Sequence, residues 1–411
     1  MSTRGWSAFR HRDFRLFCAA RLSITLAIQM QNVAVAWLVY DVSRDALALG
    51  LVGLASFLPT AALVLVSGMT ADRYDRRRIL VLAYAAMAVV AAGLLTHVWA
   101  ASPTLWPVYL LVVGFGTARA FGNPAGQAIV PSLVPLEEFG NAVAWNSTAL
   151  QVGTVAGPAL GGLLYAVDSA APFLAAILCF ASGALLVAAL RPYGASARRE
   201  PVTWPLLVAG LAFIRSRRVV LGAISLDLFA VLLGGSTALM PIFARDVFSV
   251  GPWGLGLLRT MPAVGAVVMA LVLAHSRLLS RRTGERMLLA VAVFGMATVG
   301  FGLSRHFILT LGLLALIGAA DMVSVVVRQT LVQSETPDRL RGRVAAVNTV
   351  FIGASNELGE FESGALARWV GTVPAVVIGG LSTMAIAALW ARWFPELRER
   401  DQLVSPARSE S

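Results

Sequence analysis

Long apolar stretches alternate with short polar ones along the whole chain. Each apolar stretch holds about 20 residues or more, which is the length a helix needs to cross a lipid bilayer. The pattern therefore predicts an all-α polytopic membrane protein with twelve transmembrane helices. The predicted spans are 15–40, 47–70, 78–100, 106–131, 140–166, 170–190, 219–245, 252–275, 286–304, 307–332, 344–369 and 372–394.

The positions of the arginines predict how these helices are oriented. The run Gly68–Arg78 carries six charges between two apolar stretches, and four of the six are arginines. Short cytoplasmic loops hold the excess of basic residues, so we expect this loop in the cytoplasm. Most of the other even-numbered gaps are also basic, as are both ends of the chain. We therefore expect a multi-pass protein of a bacterial-type inner (plasma) membrane with both termini in the cytoplasm.

One long polar break divides the apolar pattern nearly in half. Residues 191–218 begin with a stretch rich in Pro, Gly, Ser and Arg and continue with an apolar segment, Trp204–Ile214, typical of an interfacial helix. The predicted domains are a six-helix half at 1–190, a cytoplasmic linker at 191–218, and a second six-helix half with a cytoplasmic tail at 219–411.

The two halves also repeat each other in sequence. At an offset of 202 positions, five residue pairs coincide across two spans and their loop. The pairs are Gln127 with Gln329, Pro135 with Pro337, Asn146 with Asn348, Gly157 with Gly359 and Gly162 with Gly364. Near the second span the offset becomes 206, because Leu49-Gly50-Leu51 matches Leu255-Gly256-Leu257. We infer two pseudo-symmetric halves of related structure.

Composition excludes several classes of protein. The chain is 58% hydrophobic and 13% charged, which is too apolar for a soluble domain of 411 residues. All 33 basic residues are arginines, and they lie mostly in short loops, where we expect contacts with lipid rather than with nucleic acid. Without lysine, a phosphate-binding Gly-rich loop is not expected, and neither is an ATP-driven pump. We expect a protein that is not an enzyme. Cys18 and Cys179 lie in apolar stretches, so we expect no disulfide, metal or cofactor.

Charged residues inside the predicted spans are the candidates for function, because each one costs about 2.5–3.5 kcal/mol near the middle of a bilayer. The first half has Arg21 and Arg119, whereas the acids lie in the second half. The candidates for proton coupling are Glu357, Glu360, Asp321 and Asp227. The candidates for charge pairing or substrate binding are Arg119, Arg328 and Arg259. The alternative is that these residues form structural ion pairs where helices touch.

The charged loop resembles motif A of the major facilitator superfamily, which joins its second and third helices. The residues that carry this resemblance are Gly68, Asp72, Arg73, Arg76 and Arg77. The glycine is expected to let two helices approach each other, and Asp72 to cap a helix or pair with an arginine. Asp75 stands where the family usually has glycine. The alternative is an ordinary basic loop that only sets topology.

A glycine-rich run in the fifth span resembles motif C of the same superfamily, which marks its antiporter exporters. The run consists of Gly153, Gly157, Pro158, Gly161 and Gly162. Glycines four residues apart flatten one face of a helix so that another helix can pack closely. The resemblance implies that the partner is the eighth span, and we expect Gly157 to make the contact. An ordinary tight helix contact is the alternative.

Other stretches resemble the enterobactin-exporter-like branch of the superfamily, among them Phe9–Phe17, Trp37–Asp41, Asn123-Pro124-Ala125 and Arg341–Gly364. The resemblance covers nearly the whole chain. It implies the major facilitator fold, alternating access, and export driven by proton entry. We expect a monomer that exports a small amphipathic siderophore, drug or metabolite. The alternatives are an importer or uniporter of the same superfamily, and a membrane receptor or scaffold that transports nothing.

Overall fold

The computed structural model describes residues 3–191, 204–276, 278–279 and 282–401. Residues 192–203 of the predicted linker and residues 402–411 of the predicted tail lie outside these ranges. Within them the chain is helical and contains no strand, which confirms the all-α prediction. The long helices are α1 Arg12–Ser43, α2 Ala46–Arg73, α3 Arg76–Trp99, α4 Trp106–Ile129, α5 Phe139–Val167, α6 Ala171–Ala188, α7 Trp204–Ser216, α8 Arg218–Gly234, α9 Gly251–His275, α10 Thr283–Leu303, α11 Phe307–Glu335, α12 Asp338–Val370 and α13 Thr372–Trp393.

Ten helical segments in the described part of the chain are long and apolar enough to cross a membrane, so the chain is a multi-pass membrane protein. The helices α4 and α12 are not among the ten, although they have 24 and 33 residues. Both hold several polar residues within the predicted spans, including Arg119 in α4 and Glu357 and Glu360 in α12. The candidate functional residues themselves thus lower the hydropathy of the two helices. The count of twelve spans stays a prediction.

The chain divides into two compact units that exchange one short segment each. The first unit comprises Met1–Arg44, Leu54–Val202 and Ser249–Thr260. The second comprises Asp45–Gly53, Thr203–Phe248 and Met261–Ser411. The beginning of α2 therefore belongs with the second unit, and the beginning of α9 belongs with the first.

Each unit has its own helix packing. In the first unit, α1 packs against α5 and α6, while α3 packs against α4 and α6. In the second unit, α10 packs against α11 and α13, and α8 packs against α12 and α13. Large apolar side chains such as Leu82, Val89 and Ile308 remain 70%, 71% and 83% exposed. Such side chains are suited to contact with lipid tails rather than with water.

The seventh predicted span, 219–245, is not a continuous helix. Regular structure ends at Gly234 and gives way to Gly235 and Ser236, the 3-10 turn Thr237–Leu239, and a short irregular helix that reaches Val247. Two consecutive glycines weaken a helix because of their backbone entropy. Residues Arg218–Val247 remain one of the ten segments suited to cross a membrane, but the break was not predicted, because an apolar pattern alone does not separate helix from irregular backbone.

The N-terminal segment packs on the first unit. This segment forms the 3-10 helix Thr3–Arg10. Its Trp6 ring lies 4.3 Å from the ring of Trp145 in α5, centroid to centroid. Its Gly5 carbonyl accepts hydrogen bonds from Trp145 Nε1 at 2.8 Å and from Asn141 Nδ2 at 2.9 Å. The segment is thus fastened to α5 by side chains.

Candidate functional site

Each unit has a partly open cavity lined by polar residues of its predicted spans. We name the one in the first unit the arginine cavity; its volume is about 190 Å³. Four helices, α1, α3, α4 and α5, form its walls. The lining residues are Arg21, Ile24, Thr25, Ile28, Gln29, Tyr84, Met87, Arg119, Gly122, Asn123, Leu150 and Thr154. Two of them are cationic, and no Asp or Glu occurs among these described lining residues.

The two arginines reach the arginine cavity from different helices. Arg21, on α1, lies beside the phenol of Tyr84 on α3. Arg119, on α4, donates from Nη1 to Ser56 Oγ on α2 at 3.4 Å. Sequence reasoning named Arg119 as a site candidate but left Arg21 out of that set. The signal was present, since Arg21 is a charge inside a predicted span, but nothing in the sequence showed that α1 and α4 place both arginines on one cavity.

The second unit holds a cavity of similar size, about 180 Å³, which we name the acidic cavity. Its walls come from α8, the irregular segment after it, and α9 to α12. The lining residues are Val231, Gly234, Gly235, Ser236, Thr237, Met240, Pro262, Phe294, Leu314, Ile317, Gly318, Asp321, Asn356 and Glu360. Two of the predicted proton-coupling residues, Asp321 and Glu360, therefore meet on one cavity although they lie on different helices.

A buried ion pair lies beside the acidic cavity. Arg328 Nη2 on α11 is 3.2 Å from Asp227 Oδ2 on α8, and the two side chains are only 3% and 8% exposed. Arg328 also donates from Nη1 to Asn348 Oδ1 on α12 at 3.1 Å. One arginine thus ties three helices of the second unit together. In a medium of low polarity, a charge is tolerated when it is paired and hydrogen-bonded in this way.

Asp321 links this ion pair to the acidic cavity. A small void of about 10 Å³ is lined by Asp227, Asp321 and Ser324, among other residues. Asp321 lines this void and the acidic cavity alike. Ser324 Oγ is buried and has no hydrogen-bond partner among the described residues. The volume approaches that needed for a single water molecule, which would find polar partners there.

The other predicted charges lie elsewhere. Glu357 is half-buried on α12 and is not among the residues that line the acidic cavity. Arg259, on α9, lies in the part of that helix that belongs to the first unit, and it does not line the arginine cavity. Arg328 lies two turns after Asp321 on α11, and the carboxylate at 3.2 Å from it belongs to Asp227 on the neighbouring helix α8.

The irregular backbone after α8 is held against α12. The hydroxyl of Ser363 donates to the carbonyl of Gly235 in a short hydrogen bond. A Cβ on Gly235 would lie 3.1 Å from the carbonyl carbon of Gly359. The bend can therefore approach α12 this closely only without a side chain. These contacts fix one wall of the acidic cavity.

The glycine run in α5 serves two different neighbours. Gly153, Gly157 and Gly161 face α1, where added Cβ atoms would meet Thr25, Gln29 and Met30 at 2.7, 2.5 and 2.7 Å. Gly162 faces α9, the eighth span, where a Cβ would lie 2.8 Å from Gly256 Cα. Thr260 Oγ1 of α9 also donates to the carbonyl of Val155 at 3.1 Å.

The expectation that Gly157 contacts the eighth span was therefore wrong. At 100° per residue, Gly157 and Gly162 point about 140° apart, so they cannot share a neighbour. The contact with α9 belongs to Gly162, and the face that carries Gly157 packs against α1.

The arginines of the charged loop cap the ends of helices. Arg76 Nη1 donates to the carbonyl of Ala128 near the end of α4 at 2.9 Å. Arg77 donates to the carbonyl of Ala188 at the end of α6 in a short hydrogen bond. The last carbonyls of a helix have no partner within it and carry partial negative charge, which suits arginine.

Asp72, a candidate helix cap in the sequence, does not have this role. It lies in the last turn of α2, before the helix ends at Arg73. The cap of α3 is Asp75, whose Oδ1 accepts from the backbone N–H of Arg77 at 2.9 Å. Asp75 has an extended backbone conformation, and aspartate is a favoured N-cap residue. The residue that replaces the usual glycine of motif A is therefore the N-cap of α3.

Comparison with known proteins identifies relatives along the whole chain. The family model described as "Transmembrane secretion effector" matches residues 3–409. The protein named "Enterobactin exporter EntS" from Shigella boydii serotype 4 is 28% identical over 403 residues, covering 94% of this chain and 93% of that protein. Its namesake from Escherichia coli (strain SE11) is 28% identical over 404 residues, with the same coverage of both chains.

Solved structures share the fold at lower sequence identity. A bacterial homologue of the human lysosomal transporter Spinster, in an inward-facing and occupied conformation, aligns with a TM-score of 0.71 and 16% identity, covering 96% of this chain and 98% of that one. A D-xylose–proton symporter aligns with a TM-score of 0.70 and 13% identity, covering 94% and 99%. These likenesses show the fold.

Proposed function

Because the chain belongs to the transmembrane secretion effector family of the major facilitator superfamily, and is thus a transporter of small molecules rather than an enzyme, we propose that it exports a small amphipathic molecule in exchange for protons. Export is supported by relatives named as exporters and by the glycine run in α5. The division of the chain into two compact units supports movement by alternating access. The protein acts as a monomer in the bacterial inner membrane, surrounded by lipid, with both termini in the cytoplasm.

One observation carries the proton coupling: Asp321 lines the acidic cavity and also lies beside the buried pair of Asp227 and Arg328. The paired charges cancel, so the cluster is neutral when Asp321 holds a proton and carries one negative charge when it does not. A proton at Asp321 thus changes the net charge of a buried group. Charge inside a membrane is costly, so this change can favour one conformation over another.

Glu360 is the second proton candidate, since it lines the same cavity from α12. It can pass protons between Asp321 and the solvent. Glu357 lies one turn earlier on α12 and is a candidate for the same path. Asp227 is the partner of Arg328, and its role is to hold that arginine beside Asp321.

The test is transport by purified protein in liposomes, with a panel of siderophores and dyes, with and without a pH gradient. Asp321→Asn keeps the size of the side chain but can no longer bind and release a proton. We expect this variant to lose pH-driven transport while still exchanging substrate across the membrane. Glu360→Gln should slow the same step. Glu137→Gln is the matched control, because it removes an exposed carboxyl group from a loop.

Three outcomes would contradict the proposal. Transport that ignores collapse of the pH gradient excludes proton coupling and favours a uniporter. Uptake rather than export in oriented vesicles identifies an importer. Normal pH-driven export by both Asp321→Asn and Glu360→Gln moves the proton site away from the acidic cavity.

A further inference from the structure

Arg21 brings to the arginine cavity a positive charge that no carboxylate among the described lining residues balances. The cavity lining contains two guanidinium groups and no carboxylate. Arg21 Nε is buried and has no hydrogen-bond acceptor among the described residues. No carboxylate of the described part of the chain lies within ion-pair distance of Arg21 either. Its side-chain partner is the phenol of Tyr84, which is a neutral group.

A charge of this kind is unusual in a membrane protein. Arginines within spans pair with acids or backbone carbonyls, or they serve a ligand or ion pathway. The second unit shows the first arrangement, with Asp227 and Arg328 at 3.2 Å. The first unit keeps Arg21 on a cavity instead. A guanidinium presents several N–H donors in one plane, a geometry that matches the two oxygens of a carboxylate.

The remaining walls fit the rest of such a ligand. Ile24, Ile28, Met87 and Leu150 supply apolar surface, while Gln29 and Asn123 supply amides. The volume of about 190 Å³ is below the range of about 300–1,000 Å³ typical of complete ligand sites. The cavity therefore has room for one end of an amphipathic molecule rather than for all of it.

We propose that the arginine cavity binds the carboxylate end of an amphipathic organic acid, with Arg21 as the main cation and Arg119 as the second. The transported molecules are then organic anions. This inference rests on the proposed function only in treating the bound molecule as the one that is transported; binding of the anion can be measured without transport.

The test compares two probes, anthracenecarboxylate and the uncharged anthracenecarboxamide, which share one aromatic body. Their binding to the purified full-length protein is followed by probe fluorescence. We expect the carboxylate to bind about tenfold more tightly than the amide, as a charge-assisted bidentate contact would provide. Arg21→Gln and Arg119→Gln should each remove most of that preference. Arg21→Lys keeps the positive charge but loses the planar set of N–H donors. This variant should therefore keep part of the preference for the carboxylate.

Arg305→Gln is the matched control, because it removes an exposed arginine from a loop and should leave the preference unchanged. Each variant is first checked for a monodisperse, folded state. If Arg21→Gln fails to fold, the loss of preference is measured with Arg119→Gln instead. Equal binding of the two probes by the wild type, or no binding of either, overturns the anion site. A preference that survives both arginine variants does the same.

The same probes separate this inference from the proposed function. Arginine-dependent binding of the carboxylate without pH-driven export supports the anion site and counts against export. Export that treats the carboxylate and the amide alike supports the exporter and overturns the anion site.

Discussion

The two units carry opposite charges at corresponding positions. Arg119 of the first half corresponds to Asp321 of the second at the offset of 202, and Arg21 corresponds to Asp227 at the offset of 206. Each member of these pairs lines a cavity within its own unit. Corresponding positions thus carry arginines in the first half and carboxylates in the second. This difference fits the two proposals made above, an organic anion at the first unit and a proton at the second.

The units also differ in how they balance the buried charge. In the second unit, Arg328 pairs with Asp227 and donates to Asn348. The residue that corresponds to Arg328 in the first unit is Gly126, so no side chain balances Arg21 from that position. Asn146 corresponds to Asn348, and its Oδ1 is buried without a donor among the described residues. The second unit therefore neutralises Arg328 with Asp227, whereas the first places Arg21 on the arginine cavity without a carboxylate among the described lining residues.

The largest effect on stability is expected when one member of the buried ion pair is removed. Arg328→Met leaves Asp227 buried without its partner, and such losses cost about 3–5 kcal/mol of stability. Arg21→Met in the first unit removes a cation that has no carboxylate beside it, so its stability should stay within about 1 kcal/mol of the wild type. Thermal unfolding of the purified variants measures both. Equal destabilisation by the two changes would show that the units balance charge alike.

Asp227→Asn combined with Arg328→Met is the control for this comparison. The double variant removes both charges and should recover part of the stability that Arg328→Met loses. If the double change costs the sum of the single changes, the two residues do not act as a pair.

The next effect concerns the packing of α5, where Gly162 meets the backbone of α9 and Gly157 lies closest to a side chain of α1. Gly162→Leu would press on Gly256 and the carbonyl of Pro252, which cannot move aside. Gly157→Leu would press on the side chain of Gln29. We expect Gly162→Leu to abolish export and to lower stability by about 1–3 kcal/mol, and Gly157→Leu to do less.

Gly140→Leu is the control on the same helix, since an added Cβ there meets nothing within 4 Å. It should insert and export like the wild type. Export assays and thermal unfolding should rank the losses in the order Gly162→Leu, Gly157→Leu, Gly140→Leu. A larger loss for Gly157→Leu than for Gly162→Leu would assign the more important contact to α1.

The smallest effect is expected when the first unit receives a carboxylate that neutralises its arginine, as Asp227 neutralises Arg328 in the second unit. A Cβ on Gly126 would lie 3.5 Å from Arg21 Nη1, which is ordinary contact distance. Gly126→Asp should place a carboxylate against that guanidinium. We expect slightly higher thermal stability and a preference for anthracenecarboxylate over the amide that falls from about tenfold to about one. Gly126→Ala adds the Cβ without the charge and should keep the preference. An unchanged preference in Gly126→Asp would show that Arg21 does not bind the anion.

Much of the fold could be predicted from the sequence where polar residues mark the ends of spans. The predicted span 78–100 corresponds to helix Arg76–Trp99, and the span 372–394 corresponds to Thr372–Trp393. The break after Gly234 could not be predicted from hydropathy, because apolar residues continue through it. A membrane requires apolar side chains whether the backbone is helical or not.

The site was less predictable than the spans. Buried acids and arginines could be named, because a charge inside a span stands out in any sequence. Their partners depend on how helices pack, so the pair of Arg328 with Asp227 was not foreseen. The importance of Arg21 could have been found by applying the offset of 206 to Asp227, a comparison that needs only the sequence.

The early end of α8 has an electrical consequence. The peptide dipoles of a helix add up to about half a negative charge at its C-terminal end. Because α8 stops at Gly234, that end lies at the wall of the acidic cavity, where Gly234 and Gly235 are lining residues. Backbone and side chains therefore give this cavity a potential of the same sign. Replacing one carboxylate with an amide leaves the backbone contribution in place, so the cavity should still attract cations after such a change.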